Sequence, residues 1–291
     1  PSVTEELAET DQEETIGSFR VRFSAETGVI KEIFSEEHQY APILSNYVDL
    51  PQDIPFKSLT TTTDSIIFLY ENPNGQVIKE LKAIDNNKLT VLFKFSGLSN
   101  LQNVQFTAFG INAHRIKNDQ DTLRDSMLLE YSWFIDNKVI RKNNAFKFSD
   151  KEKKDEQKAI EWFGWRDRYH FTIIKPEFKV SAFSVVPIDD HRIHFEVKPT
   201  VDGTSTFAFS IYIGPQDLNL LKSLDGNLNK IMAFSAFPLL DMVEKFIYNV
   251  LLAMNKVIPN WGICIILISL IIYGVTYPLT LKSMLSMKKM Q

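Results

Sequence analysis

Two sets of side chains in this sequence have types and spacings that can do chemistry. The first is Glu161, Asp167, His170, His191 and His194, carboxylates and imidazoles able to act as general base and acid, with Trp162 and Trp165 close by as flat stacking surfaces. Catalysis of that kind needs a base and an acid converging on one substrate, and the pattern argues against convergence. The run from Asp189 to His194 reads as a turn entering a strand, so His191 and His194 point to opposite faces. Glu161-Trp162 and Arg166-Asp167-Arg168 read as polar residues at strand ends. There is no HExxH, glycine-rich phosphate loop, nucleophile elbow or CxxC in the sequence. A single cysteine, Cys264, rules out a disulfide framework or a cysteine-based metal site within this chain. The expectation is no catalytic residue, no metal ligand and no cofactor: not an enzyme.

The second set is Ser269, Tyr273, Thr276, Tyr277 and Thr280, at spacings i, i+4, i+7, i+8 and i+11. On a helix these fall on one face. They lie in a stretch of 25 residues between Lys256 and Lys282 that carries no charge. Asn260 to Leu281 spans roughly 33 Å as a helix, which matches a hydrocarbon core of about 30 Å and predicts a transmembrane span over 260–281. Polar side chains in a span face other helices or a wet cavity, because lipid offers them no hydrogen bonds. The stripe is therefore either packing glue or the wall of a hydrophilic groove. Pro278 removes the backbone bond to Gly274 and predicts a local bend there.

The elements ahead of this span change character along the chain. Residues 1–15 hold six acidic residues and no base, and read as an acidic linker. Over 16–215 the period is two: Phe19, Val21 and Phe23; Val91, Phe93 and Phe95; Ile193, Phe195 and Val197; then Phe207, Phe209, Ile211 and Ile213. Thr27-Gly28, Asn74-Gly75, Asn86-Asn87, Asp136-Asn137 and Asp202-Gly203 supply residues that tolerate the positive φ of tight hairpins. Short strands without a helical pattern between them predict an enlarged antiparallel β-sandwich, with one strand face on a core and the other in water. Residues 216–236 fit a short helical segment packing on it. Residues 237–256 fit an amphipathic helix with a polar stripe from Asp241 to Lys256 and an unusually wide apolar face, suited to the bilayer interface.

Charge supplies direction. The formal net charge is −4, and residues 257–291 hold three lysines and no acid, so the preceding 256 residues carry −7. An acidic body argues against nucleic acid as a partner. The lysines beyond the span place 282–291 in the cytoplasm and the β domain outside it, with Trp261 in the interfacial ring.

Asn260-Trp261-Gly262, the isoleucine-rich run, Tyr277-Pro278-Leu279-Thr280 and Ser286-Met287-Lys288-Lys289-Met290 resemble, in order and spacing, the YidC/Oxa/Alb family of membrane-protein insertases. The strand end Ile211-Tyr212-Ile213-Gly214-Pro215 resembles the bacterial members that carry a large periplasmic domain. The resemblance implies a periplasmic β-supersandwich of galactose-mutarotase-like fold, an interfacial helix, the second transmembrane helix, and at 282–291 the start of a cytoplasmic helical hairpin. It also implies further transmembrane helices before Pro1 and after Gln291, hence a multi-pass protein of the bacterial inner membrane. The implied function is insertion and folding of inner-membrane proteins, alone or with the Sec translocon, through a polar intramembrane groove. Nascent membrane proteins, Sec components, the bilayer and a ribosome bound through cytoplasmic parts outside this sequence are the implied partners. Ser269 matches a polar groove position of the family. Tyr273 departs from it, because relatives carry arginine just before Gly-x-x-Tyr-Pro, and tyrosine keeps a hydroxyl but brings no charge. The competing expectations are a membrane-tethered periplasmic scaffold and a sugar-binding, mutarotase-like enzyme domain built on the first residue set.

Overall fold

The computed structural model describes residues 11–24, 28–35, 43–48, 56–73, 75–97, 104–109, 129–143, 154–156, 160–167, 169–187, 193–200, 205–224, 227–232 and 238–289. The chain divides into two compact units, 1–231 and 232–291.

The first unit is built of strands. In chain order they are β1 Asp11–Ile16, β2 Phe19–Ser24, β3 Ile30–Ser35, β4 Ile43–Val48, β5 Phe56–Thr61, β6 Ser65–Asn72, β7 Gly75–Asp85, β8 Lys88–Ser96 and β9 Val104–Phe109. They continue as β10 Glu130–Ile135, β11 Lys138–Asn143, β12 Lys154–Glu156, β13 Ile160–Arg166, β14 His170–Pro176, β15 Val180–Pro187, β16 Ile193–Pro199 and β17 Thr206–Pro215. They form a three-stranded sheet β1-β2-β3, a nine-stranded sheet β11-β10-β13-β14-β17-β8-β7-β6-β5 and a five-stranded sheet β12-β15-β16-β9-β4. Every described pairing is antiparallel. Asp136 and Asn137, with φ of 49° and 62°, close the β10–β11 hairpin in the left-handed conformation their residue types favour. Asn86-Asn87 turns β7 into β8, and Asn87 Nδ2 donates to the Ile213 carbonyl at 3.0 Å, fastening that hairpin to β17. Thr27, Asn74 and Asp202-Gly203 lie outside the described residues.

One face of the nine-stranded sheet carries the main core. Phe93, Phe207 and Phe209 meet Phe106 of β9 with ring centroids 4.9, 5.7 and 5.0 Å apart, and Phe163 meets Phe183 and Phe195 of the five-stranded sheet at 5.5 and 4.9 Å. These two sheets are therefore face to face, their aromatic side chains interdigitating as the period-two pattern requires. The three-stranded sheet covers the other end of the same face, where Phe23 packs edge-on against Phe68 at 5.1 Å. Aromatic rings of this kind each bring large buried area, on the order of 2–3 kcal/mol apiece.

Two differences from the sequence pattern have physical causes. Strands β10, β13, β14 and β17 are buried on both faces, because residues 216–224 and 227–231 lie against the outer side of the sheet. There Phe134 stacks on Trp162 at 5.7 Å, and Phe171, Ile173 and Tyr212 are buried. The cover is helix α1 Leu218–Leu224 and a 3-10 turn Leu228–Ile231, which bury Leu218, Leu221, Leu228 and Ile231. Arg141 donates to the Lys230 carbonyl at 2.6 Å, and the Lys230 ammonium lies 4.2 Å from the Phe134 ring centroid. Residues 225–226 and 233–236 of the expected helical segment lie outside the described residues. The second difference concerns the acidic N-terminus. Its expected linker reached residue 15, yet 11–16 is strand β1, because Asp11 meets Lys31 at 2.5 Å and Glu13 meets Arg20 at 3.3 Å, giving the acids partners across the sheet. Residues 1–10 lie outside the described residues.

The second unit consists of helix α2 Pro238–Val257 and helix α3 Trp261–Lys289.

Candidate functional site

Helix α3 starts on a side-chain cap. Asn260 Oδ1 accepts the amide of Ile263 at 3.3 Å, satisfying one of the donors the first turn leaves over, and its carbonyl accepts the amide of Cys264 at 3.1 Å as the first regular helix bond. The Cys264 thiol donates to the Ile258 carbonyl at 3.4 Å. Cys264 and Ile268 are the two buried side chains among the described residues of α3, where it is in contact with α2. Beyond them the helix is bare. Over Trp261–Lys282 it is long and apolar enough to cross a membrane. The helix passes Pro278 without interruption and continues through Lys289.

Ser269, Tyr273, Thr276, Tyr277 and Thr280 occupy an arc of about 100° on α3. All five are exposed, and so are Gly274 and Pro278. Cys264 and Ile268 sit roughly 150° around the helix from the centre of that arc, so the hydroxyl face points away from the buried side chains. Three of the hydroxyls are turned back on their own helix. Ser269 Oγ donates to the Ile265 carbonyl at 2.7 Å, Thr276 Oγ1 to the Ile272 carbonyl at 2.9 Å, and Thr280 Oγ1 to the Thr276 carbonyl at 3.1 Å. Tyr273 and Tyr277 cannot reach their own backbone in this way, and their rings lie one above the other with centroids 5.9 Å apart. Pro278 has no amide proton, so the Gly274 carbonyl receives no bond from it. A side chain at Gly274 would meet nothing within 4 Å, so close packing within this chain is not what requires glycine there.

Helix α2 is inside out for a water-soluble helix. Leu239, Met242 and Phe246 are 72%, 63% and 67% exposed, while Asp241, Glu244, Lys245 and Tyr248 of the polar stripe are only half-exposed. Lys245 pairs with Asp241 at 2.7 Å, one turn away.

Among the described residues, the acid–base set does not converge on one point. Glu161 is exposed and accepts from Asn227 at 3.2 Å. Asp167 organises the β13–β14 turn: its Oδ1 accepts the amides of Tyr169 and His170, both at 2.7 Å. Burial works against its charge, but the bonds from His170 and Tyr169 outweigh it and hold the carboxyl below its usual range. His170 lies on β14 beside Asp167, whereas His194 lies in the other sheet and meets Glu196 at 3.2 Å. His191 and Arg168 lie outside the described residues. Trp162 and Trp165 are each 1% exposed, so neither offers a face to a sugar. Among the described residues, no group of three or more His, Cys, Asp or Glu side chains is placed to hold a metal ion.

Fold and site together define a class: an antiparallel β-sandwich followed in the chain by an apolar-faced helix and a helix of membrane-spanning length. The chain belongs to the YidC periplasmic-domain family, whose model matches residues 25–250. The membrane protein insertase YidC of Chlorobium limicola is 35% identical over 158 residues, 51% of this chain and 27% of that protein. The insertase YidC of Chlorobaculum parvum is 25% identical over 261 residues, 82% of this chain and 44% of that protein. A crystal structure of YidC from Thermotoga maritima aligns with a TM-score of 0.37 and 12% identity, covering 94% of this chain and 70% of that one. The chain thus spans less than half the length of these two curated relatives.

Proposed function

We propose that this chain is the periplasmic domain and second transmembrane helix of a membrane-protein insertase of the bacterial inner membrane, acting without a cofactor and not as an enzyme. The observation that carries this reading is the family match over 25–250 leading directly into a helix long and apolar enough to span. Residues 11–215 are then the periplasmic sandwich, 216–236 its helical cover, 237–256 the interfacial helix and 260–281 the span. The exposed apolar side of α2 suits a helix lying in the bilayer interface, with Leu239, Met242 and Phe246 in lipid. Lys282, Lys288 and Lys289 set the cytoplasmic end.

In this reading Ser269, Tyr273, Thr276, Tyr277 and Thr280 line the wall of a polar groove that receives the hydrophilic part of a nascent membrane protein. Other helices of the full-length protein supply the remaining walls. Sec components and the ribosome are accessory partners of that protein. The test is complementation: the full-length protein containing this chain should restore growth and membrane-protein insertion to a bacterium depleted of its insertase. In the same cells, a photo-crosslinker at Ser269 should capture a stalled nascent membrane protein. Capture from Ile266 or Leu270 alone, with none from Ser269, would refute the groove assignment.

A further inference from the structure

The five hydroxyl residues of α3 share a face but do not have equal hydrogen-bonding capacity left. A hydroxyl has one proton to donate. Those of Ser269, Thr276 and Thr280 are already engaged with the carbonyls of Ile265, Ile272 and Thr276. Three of the five therefore present lone pairs and carbon to whatever approaches. The phenols of Tyr273 and Tyr277 stand at the ends of rigid rings that are 65% and 48% exposed, one turn apart. They are the donors this face can offer. No charged side chain lies anywhere in 257–281. The buried seam of α3, Cys264 and Ile268, is on another side of the helix.

Resting on the groove reading above, we propose that Tyr273 and Tyr277 form a paired neutral donor that sets which incoming segments the groove favours: uncharged hydrogen-bond acceptors, namely asparagine and glutamine carboxamides and unpaired peptide carbonyls, in preference to carboxylates. The electrostatics choose the occupant. A carboxylate leaving water needs a compensating cation as well as donors, and this face holds none. A neutral carbonyl needs a single donor, and two phenols one helical turn apart can serve two acceptors spaced along an extended or helical segment. The proposal also assigns a cause to the departure at Tyr273: the position keeps its donor and gives up charge selection.

The experiment uses the full-length protein in liposomes and a single-span reporter whose translocated flank carries two asparagines or, in a matched version, two aspartates. Insertion is read by protease protection. The unaltered protein should insert the asparagine reporter several-fold better than the aspartate one. The double variant Tyr273→Phe, Tyr277→Phe keeps both rings and should lower insertion of the asparagine reporter by about tenfold, as expected for two lost neutral hydrogen bonds, and level the two reporters. Removing the helix-bonded hydroxyls together (Ser269→Ala, Thr276→Ala, Thr280→Ala) should have a smaller effect. Equal insertion of both reporters by the unaltered protein overturns the proposal and leaves the insertase reading intact. A triple variant as impaired as the double one overturns it too. So does a crosslinker at position 273 that captures a helix of the same protein whether or not substrate is present. If neither reporter inserts, the insertase reading falls and the proposal falls with it.

Discussion

Lys79 shows how far a single residue can depart from its sequence pattern. It occupies a core position of β7 between Phe68 and Phe93, is 0% exposed, and lies 5.4 and 5.9 Å from their ring centroids. Its ammonium donates to the Gly28 carbonyl at 3.1 Å. Gly28, at φ 64°, is held in a conformation and a space that admit no side chain, since a Cβ would collide with the Tyr70 hydroxyl and the Phe68 ring. Burial lowers the Lys79 pKa from 10.5 to about 7. Between those values the unfolded chain binds a proton that the folded chain lacks, so stability should rise with pH from 7 towards 10.5 and be flat in this term below 7. The slope is at most about 1.4 kcal/mol per pH unit. Lys79→Met should remove it and stabilise the fold at pH 7 by about 2–4 kcal/mol, because an apolar side chain of similar length replaces a buried charge. Urea unfolding at pH 7 and pH 9, followed by tryptophan fluorescence, measures this. Parallel pH profiles for the two proteins would count against it.

At the scale of elements, residues 216–224 and 227–231 decide why the middle of the nine-stranded sheet is apolar on both sides. Leu221 is 0% exposed beneath it, and the segment is fastened at Arg141, Glu161 and Asn137 through Lys230 and Asn227. Leu221→Ala should destabilise the β unit by about 2–4 kcal/mol through lost burial and a residual cavity. It should also increase hydrogen exchange in β13 and β14, which lie under the cover. An exchange increase confined to β5 and β6 would show that the cover is not what seals that face. The run "WFGW" at 162–165 already departs from strict alternation, which is the trace of two-sided burial in the sequence. What covers the second side is not readable from the run, because the partner lies more than fifty residues downstream.

At the scale of the whole molecule, residues 1–231 close their own core, whereas 232–291 leave Leu239, Met242, Phe246, Ile266 and Leu270 between 60% and 75% exposed. A chain ending at residue 231 should therefore stay in the supernatant after ultracentrifugation with phospholipid vesicles. The chain through 291 should sediment with them and require detergent for release. Sedimentation of the shorter chain to the same degree would place the lipid contact in the β unit instead.

Charge-free length and the period-two runs are local properties, so a helix long and apolar enough to span and the antiparallel sandwich follow from the sequence alone. So does the shared face of Ser269, Tyr273, Thr276, Tyr277 and Thr280, since helical spacing is a matter of counting. Tertiary structure decided what depends on partners distant in the chain: Asp11 joining a strand through Lys31, Lys79 enclosed by Phe68 and Phe93, and Trp162 and Trp165 buried rather than offered to a ligand. It also separated the hydroxyls that bond to their own helix from the two phenols that do not. The reason is the same in each case. Residue type states what a side chain is able to bond to, and only the folded chain determines whether that capacity is already satisfied.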